Sequence, residues 1–154
     1  FKLNRSQIMR DALALAKKAA SQGEVPVGAI VLKGTEVIAS SFNKTRQLND
    51  PTAHAEILAL RAAAQILGNY RLPESLLYTT LEPCPMCAGA IIEARIKTLI
   101  FGAYDLKNGA AGSVINLVSK NTKIEIIGGV EEAACSLLLT KFFNEKRINE
   151  KSIK

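Results

Sequence analysis

The chain has three cysteines, a single histidine and no long apolar run, and each scarcity excludes something. Three cysteines in 154 residues cannot build the disulfide framework of a small secreted scaffold, so a reducing, cytoplasmic setting is expected. A chain of this length buries about 70% of its unfolded surface, enough for a core without staples. The apolar stretch from Val25 to Leu32 contains Pro26 and Gly28 and falls far short of the roughly 20 residues of a membrane span, so none is expected. No signal-peptide pattern opens the chain, because Lys17 and Lys18 break the first apolar run and no small-residue cleavage site follows. That segment is expected to belong to the fold. Repeats, low-complexity tracts and linkers are also missing, and residues 1–154 read as one domain.

Acidic residues are the minority. Fourteen Asp and Glu against twenty Lys and Arg leave a net charge of +6 and a pI near 9.3. Such an excess suits a polyanion, whose counterions each bound cation releases, but by itself it names no partner. The basic residues are spread along the chain, with a modest concentration at Lys141, Lys146, Arg147, Lys151 and Lys154 that reads first as a solvated helix face.

The one histidine stands in a His54-Ala55-Glu56 triplet, and two of the three cysteines follow in Pro83-Cys84-Pro85-Met86-Cys87. Imidazole and thiolate are ligands for Zn²⁺, and a catalytic site stops at three protein ligands to leave a fourth position for water. His54, Cys84 and Cys87 make three. Glu56, two residues from a ligand, is placed to handle protons without binding the metal. A Cys-x-x-Cys alone is equally a redox pair or half of a structural zinc site, and a His-x-Glu alone says less. Together, in this order and with prolines around the first cysteine, they are the signature of a zinc-dependent deaminase. A structural zinc would require a fourth ligand, and the only other cysteine, Cys135, lies far along the chain.

Local patterns place these residues on elements. Ile8, Met9, Ala12, Leu13, Ala16, Ala19 and Ala20 recur at helical spacing from Asn4 to Ala20, with Gly23 as the stop. Val27–Leu32 and Glu36–Phe42 read as a hairpin across Lys33-Gly34-Thr35. Helix, strand, helix and strand follow at His54–Leu67, Leu76–Leu81, Pro85–Ala94 and Thr98–Phe101, an alternation that argues for parallel pairing with crossover helices. Asn49, Asp50 and Thr52 are cap-type residues ahead of the first of these helices, and Pro85 suits the first turn of the second. A loop from Tyr104 to Gly112, a strand from Lys123 to Ile127 and a helix from Val130 to Arg147 complete the chain. On that last helix Ala134, Leu137, Leu138, Lys141 and Phe142 trace a face, and Cys135 reads as core filling. The expectation is an α/β fold, a mixed five-stranded sheet with helices on both faces.

Beyond the metal motif, Asp50-Pro51-Thr52-Ala53-His54-Ala55-Glu56-Ile57, Asn69-Tyr70-Arg71-Leu72, Leu81 to Ala90, Phe101-Gly102-Ala103 and Gly109 to Ser113 resemble the bacterial tRNA-specific adenosine deaminase family, in order over nearly the whole chain. The resemblance implies the three-layer α/β/α cytidine-deaminase-like fold, a homodimer and one zinc ion per subunit. It also implies conversion of the wobble adenosine, position 34, to inosine in the anticodon stem-loop of an arginine tRNA. By the same matching Asn43 positions the base and Asp105 contacts a neighbouring ribose, where a 2′-hydroxyl distinguishes RNA from DNA. The amide of Ala55 is a candidate to orient the intermediate. Tyr104 stands where the resemblance expects a basic residue and offers a stacking face instead. Two other readings remain open at this point: a deaminase of a free base such as guanine or cytosine, and a non-enzymatic RNA-binding subunit with structural zinc.

Overall fold

The computed structural model describes residues 4–120 and 122–153. Lys154 and the side chain of Lys151, both counted in the basic tail, lie outside the described residues. Helix α1 (Arg5–Ser21) is capped by Asn4, whose side chain accepts from the Gln7 amide, and it buries the stripe Ile8, Met9, Ala12, Leu13, Ala16 and Ala19. Gly23, at φ +78°, supplies the left-handed turn that stops it. Strands β1 (Gly28–Lys33) and β2 (Glu36–Phe42) form the antiparallel hairpin. Its register shifts by one residue at Ile38, opposite the Val31–Leu32 step, and beyond this bulge Val37 turns out to solvent.

Helix α2 (Ala55–Leu67), strand β3 (Ser75–Leu81), helix α3 (Pro85–Glu93) and strand β4 (Thr98–Ala103) follow, then a short helix α4 (Leu117–Lys120), strand β5 (Glu125–Ile127) and helix α5 (Glu132–Ile153). The sheet order is β2-β1-β3-β4-β5. Strand β1 is antiparallel to both neighbours, and β3, β4 and β5 are mutually parallel, so the alternation of helix and strand carries the parallel half as expected. Successive residues of β1 divide between the faces: Ala29 and Val31 pack with α2 and α3, while Ile30 and Leu32 pack with α1 and α5. Burial on both faces is why β1 and β4 read as continuous apolar runs rather than alternating ones.

Five details differ from the sequence expectation. Strand β4 continues two residues past Phe101, because Gly102 lets Cys135 of α5 approach the sheet: a Cβ there would lie 2.5 Å from the Cys135 Sγ. Helix α4 carries too few turns to show a period. Strand β5 is shorter than Lys123–Ile127, and α5 is longer, running to Ile153. On α5 the packed side chains include Ala134, Cys135, Leu138 and Leu139, whereas Leu137 is 68% exposed, rotated off the sheet.

Gly28 marks the closest approach of α1 to the sheet. A Cβ there would collide with the Ala12 carbonyl and lie 3.0 Å from the Ala16 amide nitrogen, both backbone atoms that cannot yield separately. Gly28→Ala is therefore expected to cost about 2–3 kcal/mol, read as a Tm about 5–10 °C lower in thermal unfolding. An unchanged Tm would show that α1 slides freely on β1.

Candidate metal centre and active site

Two helices begin side by side. His54 is itself the N-cap of α2, in extended conformation and without a side-chain cap bond, and Cys84 is the N-cap of α3 with Pro85 in the first helical turn. The cap-type residues ahead of α2 do not cap it. They build the approaching turn instead: Asp50 Oδ1 accepts from the Thr52 amide at 2.8 Å and the Thr52 hydroxyl at 2.7 Å. This leaves the His54 ring free to turn toward α3, where its Nδ1 lies 3.6 Å from Cys84 Sγ and 3.5 Å from Cys87 Sγ.

Those distances test the site for a metal. A zinc ion with Zn–N of about 2.0–2.1 Å and Zn–S of about 2.3 Å at a tetrahedral angle separates nitrogen from sulfur by about 3.6 Å. The three ligand atoms lie within 4.8 Å of one another, and the donor set fits such an ion. The electrostatics agree. Hydrogen bonding from Cys87, then from His54, holds the Cys84 thiol down to about 4, while the same sharing and burial push the Cys87 thiol up. His54 is raised by its bond to Cys84. Both cysteines sit at a helix N-terminus, where free amides and the helix dipole favour thiolate, the ligating form.

Glu56 is 4% exposed, in the first turn of α2. Burial pushes its carboxyl up to about 7, into the range where a group both accepts and releases a proton near neutrality. It, His54 and Cys84 open on a cleft of about 230 Å³ whose lining includes Val27, Asn43, Thr45, Asp105 and Asn108, with Cys87 buried behind them. The sequence-derived candidates Asn43 and Asp105 are thus brought to the same cleft as His54, Glu56 and Cys84. Asn43 is buried, and its amide reaches Thr45 Oγ1 only at 3.5 Å, leaving donor capacity unspent. One oxygen of Asp105 accepts from the amides of Lys107 and Asn108, both at 3.0 Å; the other makes no hydrogen bond among the described residues. Ala55 is a different case: its methyl is buried in the core, so only its main chain is available to a substrate.

The cleft shares Val25, Leu81, Asp105 and Asn108 with a larger groove of about 810 Å³, walled by Tyr104, Leu106, Lys107, Phe143, Lys146 and Arg147. Two members of the basic tail are therefore groove residues rather than part of a uniformly solvated face, and Lys141 lies elsewhere, beside Lys17 and Phe142. Tyr104 is 46% exposed and braced edge-on against Phe101, with ring centres 5.0 Å apart. Sequence reasoning missed Glu24 and Glu82, two glutamates each 1% exposed whose hydrogen bonds hold the loops beside the cleft. The available signal was an acidic residue embedded in an apolar segment, Gly23-Glu24-Val25 and Leu81-Glu82-Pro83.

A family model for MafB19-like deaminases matches residues 3–147. A tRNA-specific adenosine deaminase of Haemophilus influenzae is 48% identical over 149 residues, covering 94% of this chain and 86% of that protein. One from Bacillus subtilis is 42% identical, covering 94% and 91%. A solved tRNA:A34 deaminase, studied for A-to-I editing at the wobble position of transfer RNA, is 44% identical with a TM-score of 0.84, covering 87% of this chain and 99% of its own. The guanine deaminase of Nitrosomonas europaea is 25% identical with a TM-score of 0.79, covering 92% and 85%.

The geometry separates ligation from proton handling. Cys87→Ala is expected to lower bound zinc to below about one-tenth of an equivalent by elemental analysis. Glu56→Ala should keep a full equivalent while turnover falls by about 10²–10⁴; metal loss matching that of Cys87→Ala would make Glu56 a ligand.

Proposed function

The chain belongs to the tRNA-specific adenosine deaminase family, and from that membership we propose that it is a zinc-dependent hydrolase that converts the wobble adenosine, position 34, of an arginine tRNA to inosine. The observation that carries this reading is the junction of a base-sized cleft, lined by His54, Glu56 and Cys84, with a groove that combines Tyr104, Lys107, Lys146 and Arg147. A free base needs the cleft alone. An anticodon loop needs both, since the extruded adenine occupies one while its neighbours require stacking faces and cations for their phosphates.

His54, Cys84 and Cys87 would hold one zinc ion per subunit. When bound, zinc supplies a Lewis acid that makes water nucleophilic near neutral pH. The chain's own residues do the rest. Glu56, its carboxyl near 7, accepts a proton from water and delivers it to N1 of adenine as C6 is attacked. It then carries the water's second proton, from the new C6 hydroxyl, to the departing amine, which leaves as ammonia as the C6 carbonyl forms. Burial keeps that proton from exchanging with bulk solvent during the transfer. Asn43 turns its free amide capacity to the base edge, and the unpaired oxygen of Asp105 accepts from the 2′-hydroxyl of a neighbouring ribose. The Ala55 amide, at the first position of α2 where no intrahelical acceptor exists, is left free to donate to the oxygen that water adds at C6.

The same reading includes a single deaminase domain, a homodimer and a reducing, cytoplasmic setting. Exposed apolar side chains on the α2, α3 and α4 layer, Ile66, Met86 and Leu117, support a second copy docking there. Free Cys84, Cys87 and Cys135 suit a compartment without oxidising chemistry. No helix among the described residues is long and apolar enough to cross a membrane.

Incubation of the zinc-loaded protein with an arginine tRNA carrying adenosine at the wobble position is expected to yield inosine at that position, read by sequencing. Guanine and cytosine should release no ammonia in parallel. Ammonia from a free base alone would overturn the substrate and keep the metal centre. With Asp105→Asn, the preference for an RNA hairpin over its DNA counterpart should fall about tenfold, the worth of one hydrogen bond to a charged group; an unchanged ratio would remove Asp105 from the ribose.

A further inference from the structure

Two buried glutamates outside the catalytic set hold the two loops between which the cleft lies. Glu82, at the end of β3, collects four donors from one loop. Its Oε1 accepts from the Asp105 amide at 3.1 Å and from the Ser113 hydroxyl, and its Oε2 accepts from the amides of Ala111 and Ser113, both at 3.1 Å. Glu24, ahead of β1, does the same for the other loop, with Oε1 on the Arg46 amide and Oε2 on the Gln47 amide, each at 3.0 Å. Neither makes an ion pair among the described residues. A carboxylate withdrawn from water without a counter-cation persists only where hydrogen-bond donors replace its hydration, and here those donors are the loop backbones themselves.

The loops bear the substrate-facing residues. Glu82 fixes the backbone nitrogen of Asp105. Glu24 fixes the two residues after Thr45, which together with Asn43 lines the cleft. Gly109 allows the first arrangement: a Cβ there would lie 2.5 Å from both the carboxyl carbon and Oε2 of Glu82. The loop therefore closes on the carboxylate to a distance that only glycine permits.

We infer that Glu24 and Glu82 are a pair of positioning residues that set the two walls of the substrate cleft, Glu82 determining the RNA preference through Asp105 and Glu24 the seating of the base through Asn43 and Thr45. The inference rests on the tRNA deaminase reading and assigns these two residues a part in it. All of the partners are N–H or O–H donors. A glutamine amide nitrogen at either position must face one of them, so Glu→Gln breaks bonds while preserving shape.

The test is steady-state kinetics on the zinc-loaded, full-length protein with matched RNA and DNA hairpins, alongside zinc content and Tm. E82Q is expected to keep its zinc, raise KM for the RNA hairpin about tenfold with kcat reduced by less, and lower the RNA:DNA ratio about fivefold or more. E24Q should raise KM similarly and leave that ratio unchanged, since its loop does not touch the ribose. Should E82Q fail to fold, Ser113→Ala and Gly109→Ala disturb the same contact from the loop side. Ser113→Ala should shift KM and the ratio in the E82Q direction, and Ser113→Thr, which restores the hydroxyl at an exposed position, should return both to wild type. Folded, zinc-loaded variants with lower Tm but wild-type KM and ratio would reduce both glutamates to structural residues and overturn the inference. Wild-type protein inactive on RNA from the outset would instead sink the substrate reading, a distinct failure.

Discussion

The meeting of one imidazole and two thiols at the starts of two helices governs the rest of the arrangement. Imidazole and thiolate must converge to within a few ångströms, and the chain meets this by placing His54 and Cys84 at the N-caps of α2 and α3. Each of those positions is tied to a helix packed on the sheet, which restrains it more than a loop would. They also carry free amides and the positive end of the helix dipole, which favour the ionised sulfur. The sheet sets the spacing: β3 leads directly into the Cys84 turn, and β1 separates β2 from β3, so the crossover through α2 arrives beside it.

Around that fixed centre the substrate-facing groups come from loops, and loops need anchoring. An exposed loop anchored only by its own turns moves on a nanosecond to microsecond scale, too loosely to hold a base over a metal. Here the anchoring is electrostatic and internal. The same low dielectric that would penalise Glu24 or Glu82 unpaired makes each of its bonds to backbone amides stronger. Under the proposed function, chemistry and recognition reside in separable parts, ligands on helix starts and selectivity on loops. The shared fold with the guanine deaminase of Nitrosomonas europaea at 25% identity is consistent with such a division.

The clustering of His54, Cys84 and Cys87 was legible in the sequence because coordination chemistry dictates residue types at short spacing. The hairpin, the buried stripe of α1 and the parallel half of the sheet were legible because period and turn residues are local. What escaped is non-local. Glu82 bonds to residues 23 to 31 positions away, and no window around Leu81-Glu82-Pro83 reveals those partners. Leu137 was placed on the buried face of α5 by hydrophobicity, yet the stripe the helix offers the sheet runs through Ala134, Cys135, Leu138 and Leu139. Asn49, Asp50 and Thr52 have the chemistry of helix caps, but the cap position was taken by a histidine with other work to do.

The β1–β2 hairpin has a consequence of its own. Val27, just before β1, lines the cleft, and the six residues of the strand carry the chain about 20 Å away to Gly34. Nothing lies within 4 Å of a side chain built at Gly34, and its left-handed φ of +64° belongs to a turn that serves only to reverse the chain. That tip is a natural graft point: a peptide or a whole folded module spliced between Gly34 and Thr35 would hang clear of the chemistry, at an entropic cost that grows only slowly with its length.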